Sequence, residues 1–347
     1  MTEMEKSYQY NQKIVVIGGG TGSFTLLRGL TRLNNPELIS AIPGMWDNGG
    51  STGILRSELG ILPVGDPRQN SIGLMEDEEQ QEWAIALSQD RFKNKGGPLK
   101  GHDFFNLQLD LLISAAGGTQ EGIDAFRKLY RIRGHVYPVT LSNVDLGAQQ
   151  SRGPDLYGEE KLDERWKDQK FDPENKIEQV FLSHVVNANP LAIRAIEEAD
   201  KIIFPPGSLY GSILPHFQVR GITEGLVRSR GKIIFVSNLM TERGQTDTMV
   251  NASDYLKEFV QEFGHKDRID YMIVNQNGVG EEPLEFYLEK GHQKPIQLDA
   301  TRCLKLAPNM KIAFRPMAIY VNRLLRHDYL KLAEVVLNPE KFILALD

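Results

Sequence analysis

The sequence predicts an α/β protein with a mostly parallel sheet covered by helices on both faces. Three features of the chain point there. Short β-branched runs such as Lys13–Ile17, Lys201–Phe204 and Lys232–Val236 lack polar alternation, as strands buried on both faces do. Amphipathic stretches separate them at the pace of a βαβ series. Glycine-bearing loops follow the strands, and right-handed crossovers would gather those loops along one sheet edge, where ligands bind.

In chain order, Lys13–Ile17 is the first strand, broken by Gly18–Gly22. Phe24–Leu33 reads as a helix with Leu26, Leu27 and Leu30 on one face, and Leu38–Ile42 as a second strand stopped by Pro43-Gly44. Trp46–Asn70 reads as a long irregular, glycine-rich segment. Leu107–Ala116 is apolar enough for a helix buried on most sides. Val180–Val186 reads as a strand, Pro190–Ala199 as a helix, Lys201–Phe204 as a strand, and Leu209–Arg228 as a helix with Pro215 at a start or kink. Lys232–Val236 and Tyr271–Val274 are further strands flanking a helix over Asn251–Phe263, with Ser253 as a candidate cap. The tail, Tyr320–Leu346, reads as mostly helical with a break at Asn338-Pro339. The expected organisation is an N-terminal tail over 1–12 and one domain over 13–347, with a partly helical inserted lobe around 75–176.

Composition narrows the function. With 41% hydrophobic and 25% charged residues among 347, the chain has ordinary globular usage and length for a large core. Forty basic against 46 acidic residues give a net charge of −6, which disfavours general nucleic-acid binding. Cys303 is the only cysteine, so neither an intramolecular disulfide nor a cysteine zinc cluster can form. The polar, acid-bearing start is no signal peptide and no apolar run approaches a membrane span, so a cytoplasmic protein without a membrane or nucleic-acid partner is expected. The oligomeric state stays open, a homodimer among the options.

The loop Gly18-Gly19-Gly20-Thr21-Gly22-Ser23 joins the first strand to the first helix. Glycines permit close approach of a ligand, and the helix start offers N–H groups and a positive dipole end, an anion cradle suited to phosphate. Gly19, Gly20, Thr21, Gly22 and Ser23 are therefore candidate ligand contacts. The loop lacks the lysine of a Walker motif and fails the dinucleotide fingerprint, and no G-x-S-x-G elbow supplies a hydrolase nucleophile.

In Trp46–Asn70, Asp47 and Asp66 are oxygen ligands of the kind magnesium prefers, and Arg56 and Arg68 are candidate phosphate ligands. Asp47 is also the candidate catalytic base. Asn48 and Gly49 accompany them. The alternatives stay open: Asp47-Asn48-Gly49 is also turn chemistry, and Arg56 with Asp66 would make a structural ion pair. Further loop contacts are Gly207, Ser208 and Tyr210, then Asn238 and Thr246. Asn106 ends the segment Gly101–Asn106, in which His102 reads as a phosphate ligand, an acid or a cap.

Taken in order, Ile17–Gly22, Asp47–Gly53 with Arg56, Gly65-Asp66 with Arg68, Pro206–Tyr210, Asn238–Thr241 and Arg326-His327-Asp328 resemble the superfamily uniting 2-phospho-L-lactate transferases with bacterial gluconeogenesis factors. The resemblance runs from about Lys13 to Leu332 and implies a Rossmann-like core. Through the transferase branch it implies magnesium-dependent transfer of a phospholactyl group from a guanosine diphosphate donor to a deazaflavin. Through the gluconeogenesis-factor branch, which the Gly49–Gly53 and Arg326–Asp328 motifs favour, it implies binding of UDP-N-acetylglucosamine and a role in carbon metabolism and cell shape, without established catalysis. It further implies that Tyr287 and Arg326 approach the base. Two departures stand out: Asn48 where both branches tend to carry a second acid, and Asp103-Phe104-Phe105 where gluconeogenesis factors usually carry smaller residues. The phenylalanines are expected to narrow or reshape that part of the pocket.

Overall fold

The computed structural model describes residues 8–59, 62–93, 96–276, 279–291 and 293–345. Most of the expected N-terminal tail, the Gly60-Ile61 step, the Asn94-Lys95 step and Leu346 lie outside the described residues. Its strands are β1 (Ile14–Ile17), β2 (Ile39–Ile42), β3 (His135–Val136), β4 (Leu146–Gln150), β5 (Leu156–Tyr157), β6 (Ile177–Leu182), β7 (Lys201–Phe204), β8 (Lys232–Val236), β9 (Ile269–Asn275), β10 (Lys311–Arg315), β11 (Ala318–Val321) and β12 (Leu324–His327). Among the described residues, seven strands form one sheet in the order β10-β9-β8-β7-β1-β2-β3, every neighbouring pair parallel.

β1 shows why the sheet is covered twice. Val15 and Ile17 belong to one apolar core, Ile14 and Val16 to the other, and all four are buried. Strand side chains alternate between faces, so an unbroken apolar run requires two covering layers. The chain builds outward from β1 through β2 to β3, then returns to β7 on the other side and continues to β10. This reversal makes β1/β7 a topological switch point, where the loops leaving two adjacent strands part and open a crevice.

Helices at the site or in its neighbourhood include α1 (Gly20–Leu33), α2 (Gly50–Leu59), α3 (Gly65–Gly73), α4 (Glu78–Asp90), α5 (Phe104–Ala116), α6 (Thr119–Leu129) and α7 (Glu159–Glu164). The segment over Trp46–Asn70 is thus mostly helical rather than irregular. Glycine lowers helix propensity, but Leu55 and Ile72 are buried, and tertiary packing outweighs it. Within 75–176, β3 joins the main sheet, whereas β4 pairs with β5 on one side and with β6 on the other in a separate three-stranded sheet.

Other expectations need correction. Leu209–Arg228 is not one helix: a π-turn at Leu209–Ile213 and a 3₁₀ turn through Pro215 precede a helix at Ile222–Arg228. The strand expected at Val180–Val186 lies earlier, at Ile177–Leu182. Asn251, not Ser253, caps the helix Ala252–Phe263, while Ser253 donates its hydroxyl to Asp299 at 2.5 Å. The tail opens not as helix but as the β11–β12 hairpin, followed by a helix at Tyr329–Leu337.

Trp46 ties two site loops together. It is buried, its Nε1 donates to the Gly211 carbonyl at 2.7 Å, and its ring meets His216 edge-on at 5.0 Å. Trp46→Phe removes that donor and leaves a buried carbonyl unpaired. The expected loss is about 1–3 kcal/mol in urea unfolding. An unchanged midpoint would show that the bond contributes nothing.

Candidate functional site

A cavity of about 690 Å³ opens at the carboxyl ends of β1, β7 and β8, at the switch point. Its floor is Gly19–Gly22. Pro206 to Ser208 form one wall, Asn238 to Glu242 another, Asp47, Gly49 and Asp66 a third, and α7 with Tyr287 and Arg326 the mouth.

The floor depends on close backbone approach. Gly20 opens α1 with φ +64°. A Cβ on Gly22 would lie 1.4 Å from the Pro206 carbonyl oxygen, so only glycine lets α1 reach the loop after β7. Thr21 and Gly22 occupy the first turn of α1, where a helix leaves N–H groups without intrahelical partners. The donor of Gly20, expected to face a ligand, is already taken: it donates to Asp66 Oδ1 at 2.8 Å. Gly207 is likewise engaged. Its N–H donates to Asn238 Oδ1 at 2.9 Å and its carbonyl accepts from Asn238 Nδ2 at 2.7 Å. Ser208 Oγ accepts from the Gly211 N–H and donates to Gln245, both at 3.0 Å.

Asn238 is therefore a two-point clamp on the loop after β7. Asn238→Ala is expected to leave the fold intact and to speed hydrogen exchange at the Gly207 amide roughly tenfold or more. Unaltered exchange would show that the clamp is not what orders this loop.

Acids crowd the interior. Asp66 is pushed up to about 7 by burial, then by repulsion from Asp47, against the Gly20 N–H and Arg68. Burial raises Asp47, opposed by the Gly49 N–H and then by Thr52, Arg56 and Arg68. Glu159, from the first turn of α7, is held well above the carboxylate range by burial and by Asp47, Asp66, Asp163 and Glu242. Glu242 is raised to about 8 and Asp163 to about 6, burial leading in both. One oxygen each of Glu159 and Glu242 is buried without a hydrogen-bond partner. These three acids were missed in the sequence. Glu159 and Asp163 lie four apart on α7, a spacing that places them on one face, and Glu242 follows the loop Asn238–Thr241 directly.

Magnesium is the cofactor the sequence suggested. Among the described residues, no three His, Cys, Asp or Glu side chains converge closely enough to hold an ion by themselves. Asp47 and Asp66 nevertheless line the same cavity and repel one another. Magnesium keeps several waters and takes one or two carboxylates plus phosphate oxygens. The pair suits an ion that arrives with a phosphate-bearing ligand.

The remaining predicted residues divide. Tyr287 and Arg326 both line the mouth, and Tyr287 Oη accepts the Leu325 N–H at 2.9 Å, holding the hairpin that carries Arg326. Asn48 does not line the cavity; its Oδ1 accepts the Glu160 N–H at 2.9 Å and anchors α7. Arg56 pairs with Asp145 at 3.0 Å and with Asn143 at 2.7 Å, not with Asp66. Arg68 pairs with Asp103 at 3.1 Å and with Asn106, and faces a neighbouring chamber. Ser23 and Asn106 are buried away from the cavity lining. Thr246 Oγ1 meets Tyr255 Oη at 2.7 Å, and the Tyr210 ring is buried with its hydroxyl towards Met249, so neither lines the cavity. His102 Nδ1 lies 3.2 Å from Ser51 Oγ. Phe105 packs against Phe126 and Tyr130, and neither it nor Phe104 lines the cavity, so they do not narrow it.

The family model described as 2-phospho-L-lactate transferase CofD matches residues 14–313, which span the sheet and every wall of the cavity except Arg326 and its hairpin. The chain belongs to this family. A Bacillus subtilis relative named gluconeogenesis factor is 35% identical over 327 residues, covering 94% of this chain and 97% of that one. A Halalkalibacterium halodurans relative of the same name is 33% identical over 329 residues, covering 94% and 96%. The fold agrees: a crystal structure of a Bacillus halodurans protein superposes with a TM-score of 0.84 at 30% identity, covering 94% of this chain and all of that one. No helix among the described residues is long and apolar enough to cross a membrane.

Proposed function

We propose that this CofD-family chain binds a diphosphate-linked nucleotide, a UDP-sugar such as UDP-N-acetylglucosamine, and acts in the cytoplasm as a regulator of carbon metabolism or envelope growth. The observation that carries this reading is the shared cavity of the α1 first turn, the loop after β7 and Arg326. A diphosphate on the α1 N–H groups would meet the helix dipole, and a base at the mouth would meet Tyr287 and Arg326. The carboxylates along the cavity favour a ligand that brings a cation with its phosphates, so magnesium is expected to strengthen binding.

Calorimetry with UDP-N-acetylglucosamine, with and without magnesium, tests this. Arg326→Ala is expected to weaken binding roughly tenfold or more while leaving the melting temperature within about 2 °C. Absence of binding in the unsubstituted protein under both conditions refutes the proposal.

A second reading keeps the same ligand class and adds catalysis: magnesium-dependent transfer of the 2-phospho-L-lactate transferase type. It is favoured by Asp47, whose carboxyl is raised by burial and faces the cavity beside Asp66. Asp47 and Asp66 would hold the ion, which would stabilise charge on the leaving phosphate. Asp47→Ala is expected to abolish turnover with the fold retained. Unchanged turnover removes Asp47 from that role.

A further inference from the structure

Behind Thr21 and Arg326 lies a second chamber of about 700 Å³, and its charge is opposite to that of the first. The nucleotide cavity is lined by carboxylates from Asp47 and Asp66, α7 and Glu242, with Arg326 as its sole arginine or lysine among the described residues. The second chamber is lined by Arg68, Arg91, Lys93 and Arg326, and its single lining carboxylate among the described residues, Asp103, is already paired with Arg68 at 3.1 Å.

Arg68 is built into this chamber rather than laid on the surface. Its side chain is only 11% exposed, its Nε donates to Asn106 Oδ1 at 3.1 Å and its Nη1 to Ser88 Oγ at 3.0 Å. Burial draws its guanidinium down from the usual range; Asp103 opposes this, while the like charge of Arg91 adds to it. Two arginines facing one space repel, and an anion between them relieves the repulsion. Arg91 is exposed and ends α4 in a left-handed conformation, which sets it at the rim. The rest of the lining includes Phe24, Ile72, Ile85 and Leu324. A chamber of this size with an apolar wall and a few convergent charges suits a small organic molecule with an anionic head.

We propose that this chamber is a second ligand site, taking the phosphate of an organic phosphate monoester between Arg68 and Arg91, with the ester's organic body against Phe24 and Leu324. Guanidinium forks match phosphate oxygens two at a time, and a dianionic head needs more than one cation. The site is independent of the nucleotide reading, apart from Thr21 and Arg326, which line both spaces.

Phenyl phosphate is the probe, with phenol as the control that keeps the ring and loses the charge. Calorimetry on the full chain is expected to show binding of phenyl phosphate at millimolar concentration or below, and none of phenol. In a crystal soaked with phenyl phosphate, the phosphate should lie against Arg68 and Arg91. The Arg91→Glu, Lys93→Glu double variant is expected to bind roughly tenfold more weakly or worse. Should that double variant not fold, Arg91→Gln alone is expected to weaken binding by at least about threefold. Binding equal in variant and unsubstituted protein, phosphate density confined to the glycine-loop cavity, or no binding at millimolar concentration overturns the proposal. Failure of UDP-N-acetylglucosamine to bind would leave it standing.

Discussion

Gly22→Ala is expected to cost about 3 kcal/mol of unfolding free energy, at the upper end for overpacking, and to abolish nucleotide binding. The new methyl carbon would sit 1.4 Å from the Pro206 carbonyl oxygen, a backbone atom that cannot swing aside. Either α1 or the loop after β7 must shift, and those two segments form the floor and one wall of the cavity. Gly20→Ala is the control. It has nothing within 4 Å of a new Cβ, and only its φ of +64° opposes the substitution. Its cost should be about 1–2 kcal/mol. Urea unfolding of both variants checks the contrast; a Gly22→Ala protein as stable as the unsubstituted one would mean that the close approach is not what joins the loops.

The acids make stability fall as pH rises from about 6.5 to about 8.5. Asp66 and Glu242 hold their protons up to about 7 and about 8 in the folded state. In the unfolded chain both have already ionised near pH 4. The folded state therefore binds more protons across this window, so the stabilisation present at low pH is lost as pH passes through the folded values. Buried His216 and His327, both drawn down to about 4 by burial, act oppositely but only below about pH 6.5, where an unfolded imidazole titrates. The expected loss from pH 6.5 to 8.5 is on the order of 2 kcal/mol after solvent screening at the cavity. Asp66→Asn should flatten the lower part of the slope and Glu242→Gln the upper. Stability rising through the window in chemical denaturation would contradict the acidic cavity.

The core sheet was legible because the physics that buries a strand on both faces leaves no polar alternation. Ile14–Ile17, Lys201–Phe204 and Lys232–Val236 lie where their apolar runs placed them. The glycine loop was legible too, because close packing at Gly22 admits no other residue. The β11–β12 hairpin was not. Its turn places Asn322 and Arg323 at φ of +52° and +59° without the glycine that usually marks such a turn in a sequence. β10 was missed because charged residues bracket its short apolar centre.

The site was half legible. Motif order brought Thr21, Asp47, Asp66, Asn238 and Arg326 to one cavity. It could not show that two expected N–H donors have internal partners, since Asp66 lies 46 residues from Gly20 and Asn238 lies 31 from Gly207. Nor could it place Arg68, whose buried partner Asp103 turns it towards the other chamber. Glu159 stands in a charge-rich stretch of sequence, and only its burial beside Asp47 and Asp66 sets it apart.

The most direct test is a crystal structure of the chain grown with UDP-N-acetylglucosamine and magnesium. The diphosphate should lie over the first turn of α1, between Thr21-Gly22 and the loop at Gly207-Ser208, with the uracil beside Arg326. A nucleotide seated elsewhere on the molecule, with the Asp66 carboxylate still closing the glycine loop against an empty cavity, would contradict it.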